Sequence, residues 1–149
     1  MSFTFTHGII GWMIGAKLGK TKEYKILGLM AGMLPDLDGL LIFINYPLHQ
    51  FLHRLLFHSI FYAAAIALLW MLIMKKKTNP FIGGTIIFSS FMAHILLDMI
   101  STSKGIALFA PLSFDLFWYP IIHFWYWPEV IICLFFILFM LKNNAPREN

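Results

Sequence analysis

Five long apolar stretches alternate with short polar segments along the 149-residue chain. They cover residues 3–18, 27–44, 55–74, 81–100 and 129–141. A helix needs about 20 apolar residues to cross the roughly 30 Å hydrocarbon core of a bilayer. The third and fourth stretches reach this length, and the shorter ones can span by tilting or by local thinning of the bilayer. The pattern predicts an all-α, polytopic membrane bundle of about five transmembrane helices, forming one domain over residues 1–149.

Composition agrees with this interpretation. The chain is 60% hydrophobic and only 12% charged, whereas soluble domains average about 45–50% apolar and about 25% charged residues. Because there are too few polar residues to cover the surface of a soluble protein, we expect the surplus apolar surface to face lipid. The single Cys133 excludes a disulfide framework and a cysteine-based metal site. The first residues lack a basic region and a cleavage site, so no removable signal peptide is expected.

The basic residues lie in clusters between the apolar stretches. Lys and Arg exceed Asp and Glu by 11 to 7, but no basic stripe of the kind that binds nucleic acid is visible. The clusters lie at residues 17–25, at residues 75–77 and after residue 141, which are alternate loops. The positive-inside rule places all three in the cytoplasm and the N-terminus outside. We therefore expect a multi-pass protein of the inner or plasma membrane.

The opposite side carries residues 45–53 and 103–128. The second of these segments is rich in aromatic side chains, which favour the headgroup region of a bilayer. It is predicted to be an interfacial or re-entrant lid on the outer leaflet that receives lipid. A plain aromatic belt is the alternative. The rings belong to Phe117, Trp118, Tyr119, Phe124, Trp125, Tyr126 and Trp127.

Small residues recur every four positions in the first two stretches. They are Gly11, Gly15 and Gly19, and then Gly28 and Gly32. Such rows allow two helix backbones to approach closely. His7 lies on the same face as the first row, directed into the bundle. Asp36 continues the second row one turn later, where Pro35 and Gly39 are expected to break or kink the helix.

Ionisable residues within the apolar stretches need an explanation. An Asp near the bilayer centre costs about 2.5–3.5 kcal/mol on insertion scales, so such groups are functional candidates. A bound metal ion would offset this cost, because it makes each carboxylate favourable. The residues concerned are Asp36, Asp38, His58, His94 and Asp98.

The spacing of these residues favours one shared site. His94 and Asp98 are four residues apart, which places both side chains on one face of a helix. Ser90 and Thr102 extend this face into a polar stripe, and Arg54, His58 and Tyr62 are expected to form a second stripe. An arginine beside metal ligands would suit a phosphate oxyanion. All these groups, with His7 and His53, fall in the outer half of the predicted bundle, whereas His49 and His123 are expected to be interfacial anchors.

The combined motifs resemble a known family. The chain has Thr6-His7, Leu34-Pro35-Asp36-Leu37-Asp38, His53-Arg54, His58-Ser59 and His94-x-x-x-Asp98. This order, with Ser101-Thr102-x-x-Gly105 and Pro111-Leu-Ser113 after it, resembles the YdjM-type family. Its members are described as LexA-regulated inner-membrane proteins that are metal-dependent hydrolases. The resemblance covers about residues 5–113.

That family is in turn distantly similar to the zinc-dependent phospholipase C and single-strand nuclease group. The resemblance implies metal ligands at His7, Asp36 or Asp38, His53 or His58, His94 and Asp98. This chain lacks the N-terminal Trp and the later His that complete the three-metal cluster of those enzymes. We therefore expect one or two divalent ions. Zinc is the first expectation, and manganese or iron are the alternatives that His and Asp ligands allow.

These observations lead to a hydrolase hypothesis with two alternatives. A metal-activated water would attack a phosphoester of a lipid or lipid-linked substrate at the outer leaflet. Asp98 would bridge the ions, Arg54 would bind a phosphate oxygen, and Asp38 would act as a base if it is not a ligand. The first alternative is a transport or proton-conducting protein that uses the same His/Asp stripe. The second is a non-catalytic scaffold stabilised by a metal.

Overall fold

The computed structural model describes residues 4–55, 57–75, 79–101, 105–119, 121, 131, 133–136 and 138. For residues 38, 40–42, 50, 51 and 53–55 it describes the backbone alone. The regular elements are α1 (Thr4–Leu18), α2 (Lys22–Met33), a 3-10 segment (Leu34–Phe43), α3 (Tyr46–Leu55), α4 (Ile60–Met74) and α5 (Pro80–Ser101). Within the described ranges, an isolated antiparallel bridge between Ile106 and Phe117 is the one β-type pairing. The all-α fold class is therefore confirmed.

Helices α1 and α2 form a hairpin with almost no space between their backbones. A Cβ atom added at Gly11 would overlap the Gly28 carbonyl, and one added at Gly28 would overlap the Gly11 carbonyl. A Cβ at Gly32 would overlap the carbonyl of His7. The close packing predicted from the glycine rows is confirmed, and it sets the depth at which His7 enters the bundle.

The second apolar stretch changes from α-helix to 3-10 helix at its middle. Helix α2 ends at Met33, and the chain continues as a 10-residue 3-10 segment, although such runs seldom exceed three or four residues. Pro35 explains the change, because it has no N–H and its ring clashes with the carbonyl four residues earlier. The predicted break at this proline is thus a change of helix type that carries Asp36 toward α5.

The third apolar stretch differs from its prediction. Helix α4 begins at Ile60, because the Ser59 side chain accepts a hydrogen bond from the Tyr62 N–H and caps the helix. His58 lies in the turn before this cap, and Arg54 lies on the separate helix α3. The expected helical stripe of Arg54, His58 and Tyr62 is therefore wrong. The helix is interrupted by a turn between Arg54 and Tyr62. Residues 46–55 form a separate helix that hydropathy alone did not indicate.

Helix α5 is central, because it packs against α1, α2 and α4. Among the described residues, it is the helix that is both long and apolar enough to cross a membrane, and α4 is apolar but shorter. The fifth stretch is helical at residues 131, 133–136 and 138, and the ring of Phe136 meets Trp12 edge-on at 5.2 Å. The five-span topology therefore remains a prediction.

The segment after α5 folds back over the ends of two helices. The Leu108 carbonyl accepts the Ile60 N–H at the start of α4. The N–H groups of Tyr119 and Ile121 donate to the carbonyls of Met99 and Ile100 at the end of α5. Trp118 and Tyr119 are exposed, whereas residues 124–127 of the predicted aromatic lid lie outside the described residues. This segment joins the two helix ends between which His58 and Asp98 meet.

Candidate metal centre

Four side chains from three parts of the fold converge on one point. The 3-10 segment supplies Asp36, the turn before α4 supplies His58, and α5 supplies His94 and Asp98. Each offers one ligand atom, and the four atoms lie within 4.8 Å of one another. His58, His94 and Asp98 are buried, while Asp36 is partly buried. These residues can hold a metal ion.

The distances between the ligand atoms fit a small cation. The Nε2 atoms of His58 and His94 are 3.2 Å apart. His58 Nε2 is 3.4 Å from Asp98 Oδ2, and His94 Nε2 is 3.5 Å from Asp36 Oδ1. The remaining His–Asp pairs, His58 with Asp36 and His94 with Asp98, are both at 3.8 Å. Two ligands bound to one zinc ion at about 2.0–2.1 Å in tetrahedral geometry lie about 3.3 Å apart.

The orientation of His94 follows from the helix change at Pro35. In an α-helix the Gly32 carbonyl would accept from the N–H of Asp36, and in a 3-10 helix from residue 35, which is proline. Asp36 belongs to the 3-10 pattern, in which each N–H bonds three residues back. The Gly32 carbonyl instead accepts the Nδ1–H of His94 at 2.7 Å. This hydrogen bond leaves Nε2, in the neutral imidazole, as a lone-pair donor directed at the cluster.

Each carboxylate has one oxygen in the cluster and its other oxygen on a supporting partner. Thr4 Oγ1 donates to Asp36 Oδ2 at 2.7 Å. His7 Nε2 lies 3.3 Å from Asp98 Oδ1, and the His7 ring stacks on that of His94 with centroids 3.7 Å apart. Such outer contacts orient metal ligands and are typical of metal sites. His7, predicted as a ligand, thus lies beside the four-atom group and contacts two of its members.

The electrostatics favour a dication. Two carboxylates and three imidazoles share a buried volume in which His7, His58 and His94 are at most 1% exposed. With neutral imidazoles the cluster carries two negative charges and several lone pairs that point at one place. A divalent ion would neutralise both charges and satisfy these lone pairs together, which is the chemistry of a His/Asp metal site.

The other predicted site residues fall into two groups. The side chains of Asp38, His53 and Arg54 lie outside the described part of the structure, so their proposed roles remain predictions. Thr102 and His123 also lie outside it. His49 is buried on α3 beside Tyr46 and does not belong to the four-residue group. Asp36 and His58 belong to the cluster, and the choice between each of them and its sequence alternative, Asp38 or His53, stays a prediction.

Sequence reasoning missed two supporting groups, Thr4 and the Gly32 carbonyl. Thr4 lies three residues before His7 and therefore on nearly the same helix face. This spacing is only a weak indication that Thr4 contacts Asp36. The role of the Gly32 carbonyl depends on two features. Pro35 is visible in the sequence, whereas the approach of α5 to this carbonyl is visible only in the structure.

Comparison with known proteins places the chain in a family. No curated protein and no solved structure matches it. The profile of the family described as "YdjM inner membrane protein" matches residues 1–148. The match covers the whole cluster and agrees with the inner-membrane location expected from the charge pattern. The chain therefore belongs to the YdjM inner membrane protein family.

Proposed function

We propose that this protein is a membrane-embedded, metal-dependent hydrolase that cleaves a phosphoester of a lipid or lipid-linked substrate at the outer leaflet. The observation that carries the proposal is the convergence of ligand atoms from Asp36, His58, His94 and Asp98 within 4.8 Å. Four such groups within a mostly apolar chain are costly unless an ion or a reaction uses them.

The residues have distinct tasks in this proposal. Asp36, His58, His94 and Asp98 hold the ion, and Thr4 and His7 hold the carboxylates in position. When bound, a divalent cation of this kind polarises a phosphoryl oxygen and lowers the pKa of a coordinated water molecule. Arg54 is proposed to bind a phosphate oxygen, and it belongs to α3, which packs against the segment that carries Asp36. Asp38 is proposed as the base that accepts the proton.

The proton-path alternative has less support from the described part of the chain. From the cluster toward the N-terminus of α5, the buried face of the helix continues through Phe91, Ile87 and Ile86. Ser90 is the polar side chain on this buried face between the cluster and the glycines Gly83 and Gly84. A relay of ionisable groups would be needed to carry protons across.

The first test is the metal content of detergent-purified protein, measured by elemental analysis. Wild type is compared with His94→Ala and Asp98→Asn. The matched controls are His49→Ala, a buried histidine outside the group, and Asp115→Asn, an exposed aspartate. We expect about one or two equivalents of zinc, manganese or iron in wild type and in both controls, and loss of metal in both site variants.

Hydrolysis is then measured on phospholipids and soluble phosphodiesters, with metal-loaded and chelator-treated protein. The proposal requires turnover that disappears with the metal and in Asp98→Asn. Metal retention without turnover, together with a lower unfolding temperature in the site variants, would favour the scaffold alternative. Wild type that contains no metal and does not bind added metal would refute the metal-dependent mechanism.

A further inference from the structure

An apolar groove of about 360 Å³ lies between α2 and α4, with α5 as its floor. Its volume is within the range of about 300–1,000 Å³ that is usual for small-molecule sites. The side chains that line it are apolar or aromatic, and none of them carries a formal charge. Its lining includes Met30 and Ala31 of α2, Leu37 of the 3-10 segment, Ile66 and Trp70 of α4, and Ile87 of α5.

One end of the groove lies next to the His/Asp cluster. Leu34 and Leu37, which line the groove, flank Asp36 in the 3-10 segment. At the floor, Ile87 precedes His94 by seven residues, which is about 10 Å along a helix. The groove therefore runs from the cluster along the bundle toward the lysine-rich end of α2 and α4.

The surroundings determine what can fill such a groove. The chain belongs to an inner-membrane family, and the floor helix is apolar and long enough to cross a bilayer. Met30 and Leu37 at the groove are 63% and 53% exposed, so its mouth is open and apolar. A groove that is apolar throughout, open to lipid and adjacent to a polar cluster at one end matches a molecule with a hydrocarbon chain and a polar head.

We infer that the groove binds one acyl chain of a bilayer phospholipid, whose headgroup lies at the end beside the His/Asp cluster. The inference deepens the proposed function, on which it rests for the headgroup's role, because it identifies the substrate class as an acyl lipid bound by its chain. Binding of the chain itself depends on the groove alone, so it can be tested without activity.

Trp70 provides a reporter inside the groove. The other tryptophans, Trp12, Trp118, Trp125 and Trp127, are replaced by Phe in the full-length chain. Phosphatidylglycerol brominated on its acyl chains is then titrated into the protein in detergent micelles, and quenching of Trp70 fluorescence is recorded. We expect quenching that saturates near one lipid molecule per protein molecule, since the groove accepts one acyl chain.

The decisive variant introduces a charge at the groove mouth, because an acyl chain that enters there would have to strip water from the new carboxylate. Met30→Glu is compared with Met13→Glu, which changes the same residue type at 54% exposure on α1, away from the groove. We expect the half-saturating lipid concentration to rise on the order of tenfold in Met30→Glu and to stay at the wild-type value in Met13→Glu. Leu37→Gln beside Leu72→Gln repeats the comparison without a charge.

The outcomes separate this inference from the proposed function. Two results together support an acyl-chain site, whatever substrate the protein hydrolyses. Saturable quenching persists in Asp98→Asn, and Met30→Glu weakens the quenching without loss of metal. Quenching proportional to the lipid fraction, equal in Met30→Glu and Met13→Glu, would overturn the inference and leave the metal centre intact. Protection of Trp70 that instead depends on protein concentration would also overturn it, because a second copy would then cover the groove.

Discussion

At the scale of single residues, the cluster depends on how each carboxylate is divided between two partners. Asp98 directs one oxygen to His58 and the other to His7, at 3.4 and 3.3 Å. Asp36 directs one oxygen to His94 and receives the Thr4 hydroxyl on the other. Supporting contacts of this type restrict the rotation of a ligand before the ion arrives, so they affect affinity without touching the metal.

Thr4→Val tests this supporting contact. The substitution keeps the shape of the side chain and removes the hydrogen bond to Asp36. We expect metal affinity to fall by about 10–100-fold, the usual cost of losing an outer partner of a ligand. The measurement is competition with a chelator of known affinity. Thr85→Val, the same substitution on α5 outside the cluster, serves as the control. Equal affinities in the two variants would show that the Thr4 hydroxyl contributes nothing.

At the scale of elements, the site is assembled by two departures from a regular helix. The 3-10 segment turns Asp36 toward α5 and leaves the Gly32 carbonyl available to His94. The break before α4 places His58 in a turn, where the Ser59 cap sets the direction of the next helix. The glycine contacts between α1 and α2 then bring His7 to the same depth. A helix shift of a few tenths of an ångström would change several ligand distances together.

Glycine substitutions test the packing of α1 against α2. Gly11→Ala and Gly28→Ala each introduce a methyl group into the neighbouring backbone, and we expect the free energy of unfolding to fall by about 1–3 kcal/mol. Gly32→Ala should also lower metal affinity, because it displaces the backbone of His7 and its own carbonyl binds His94. Thermal unfolding in detergent measures stability, and chelator competition measures affinity.

Gly39→Ala is the matched control for this series. A Cβ at Gly39 meets no atom within 4 Å, and the residue does not adopt a positive φ. We expect wild-type stability and wild-type metal affinity. If Gly28→Ala proved as stable as Gly39→Ala, the close helix contact would not contribute to the fold as described.

At the scale of the whole molecule, the cluster lies at one end of the helical hairpin α4–α5, and Lys75 lies toward the other end. Lys75 follows the end of α4, while Asp98 lies in the last turn of α5. This polarity supports a single orientation, in which the metal centre faces the outer leaflet and the lysines face the cytoplasm. The number of spans and this orientation are predictions.

Cysteine accessibility tests the topology. Because Cys133 is the single native cysteine, a Cys133→Ser chain accepts new cysteines without background. We expect a membrane-impermeant maleimide to label Asn45→Cys and Ser113→Cys on intact cells or spheroplasts. Lys22→Cys and Lys75→Cys should react only after the membrane is permeabilised, because positively charged loops stay in the cytoplasm. Labelling of Asn45→Cys and Lys75→Cys from the same side would contradict the predicted orientation.

The sequence by itself determined the features that depend on local chemistry. Apolar stretches and low charge predicted helices embedded in a membrane, since insertion follows from transfer free energies summed along the chain. Glycine spacing predicted the α1–α2 contact, and the four-residue spacing of His94 and Asp98 predicted a shared face on α5. Ionisable residues within or beside the apolar stretches supplied the other candidates, and the family resemblance implied ligand roles for them, with alternatives in two pairs.

Tertiary structure decided which candidates meet. Asp36 reaches α5 through the rotation introduced by the 3-10 segment, because 3-10 and α-helices turn by different angles per residue. The position of His58 depends on a helix start that hydropathy does not detect, since the apolar pattern continues through the break. The hydrogen bonds of Thr4 and of the Gly32 carbonyl join residues 32 and 62 positions apart. Such long-range pairs are fixed by packing in three dimensions and leave no periodic signal along the chain.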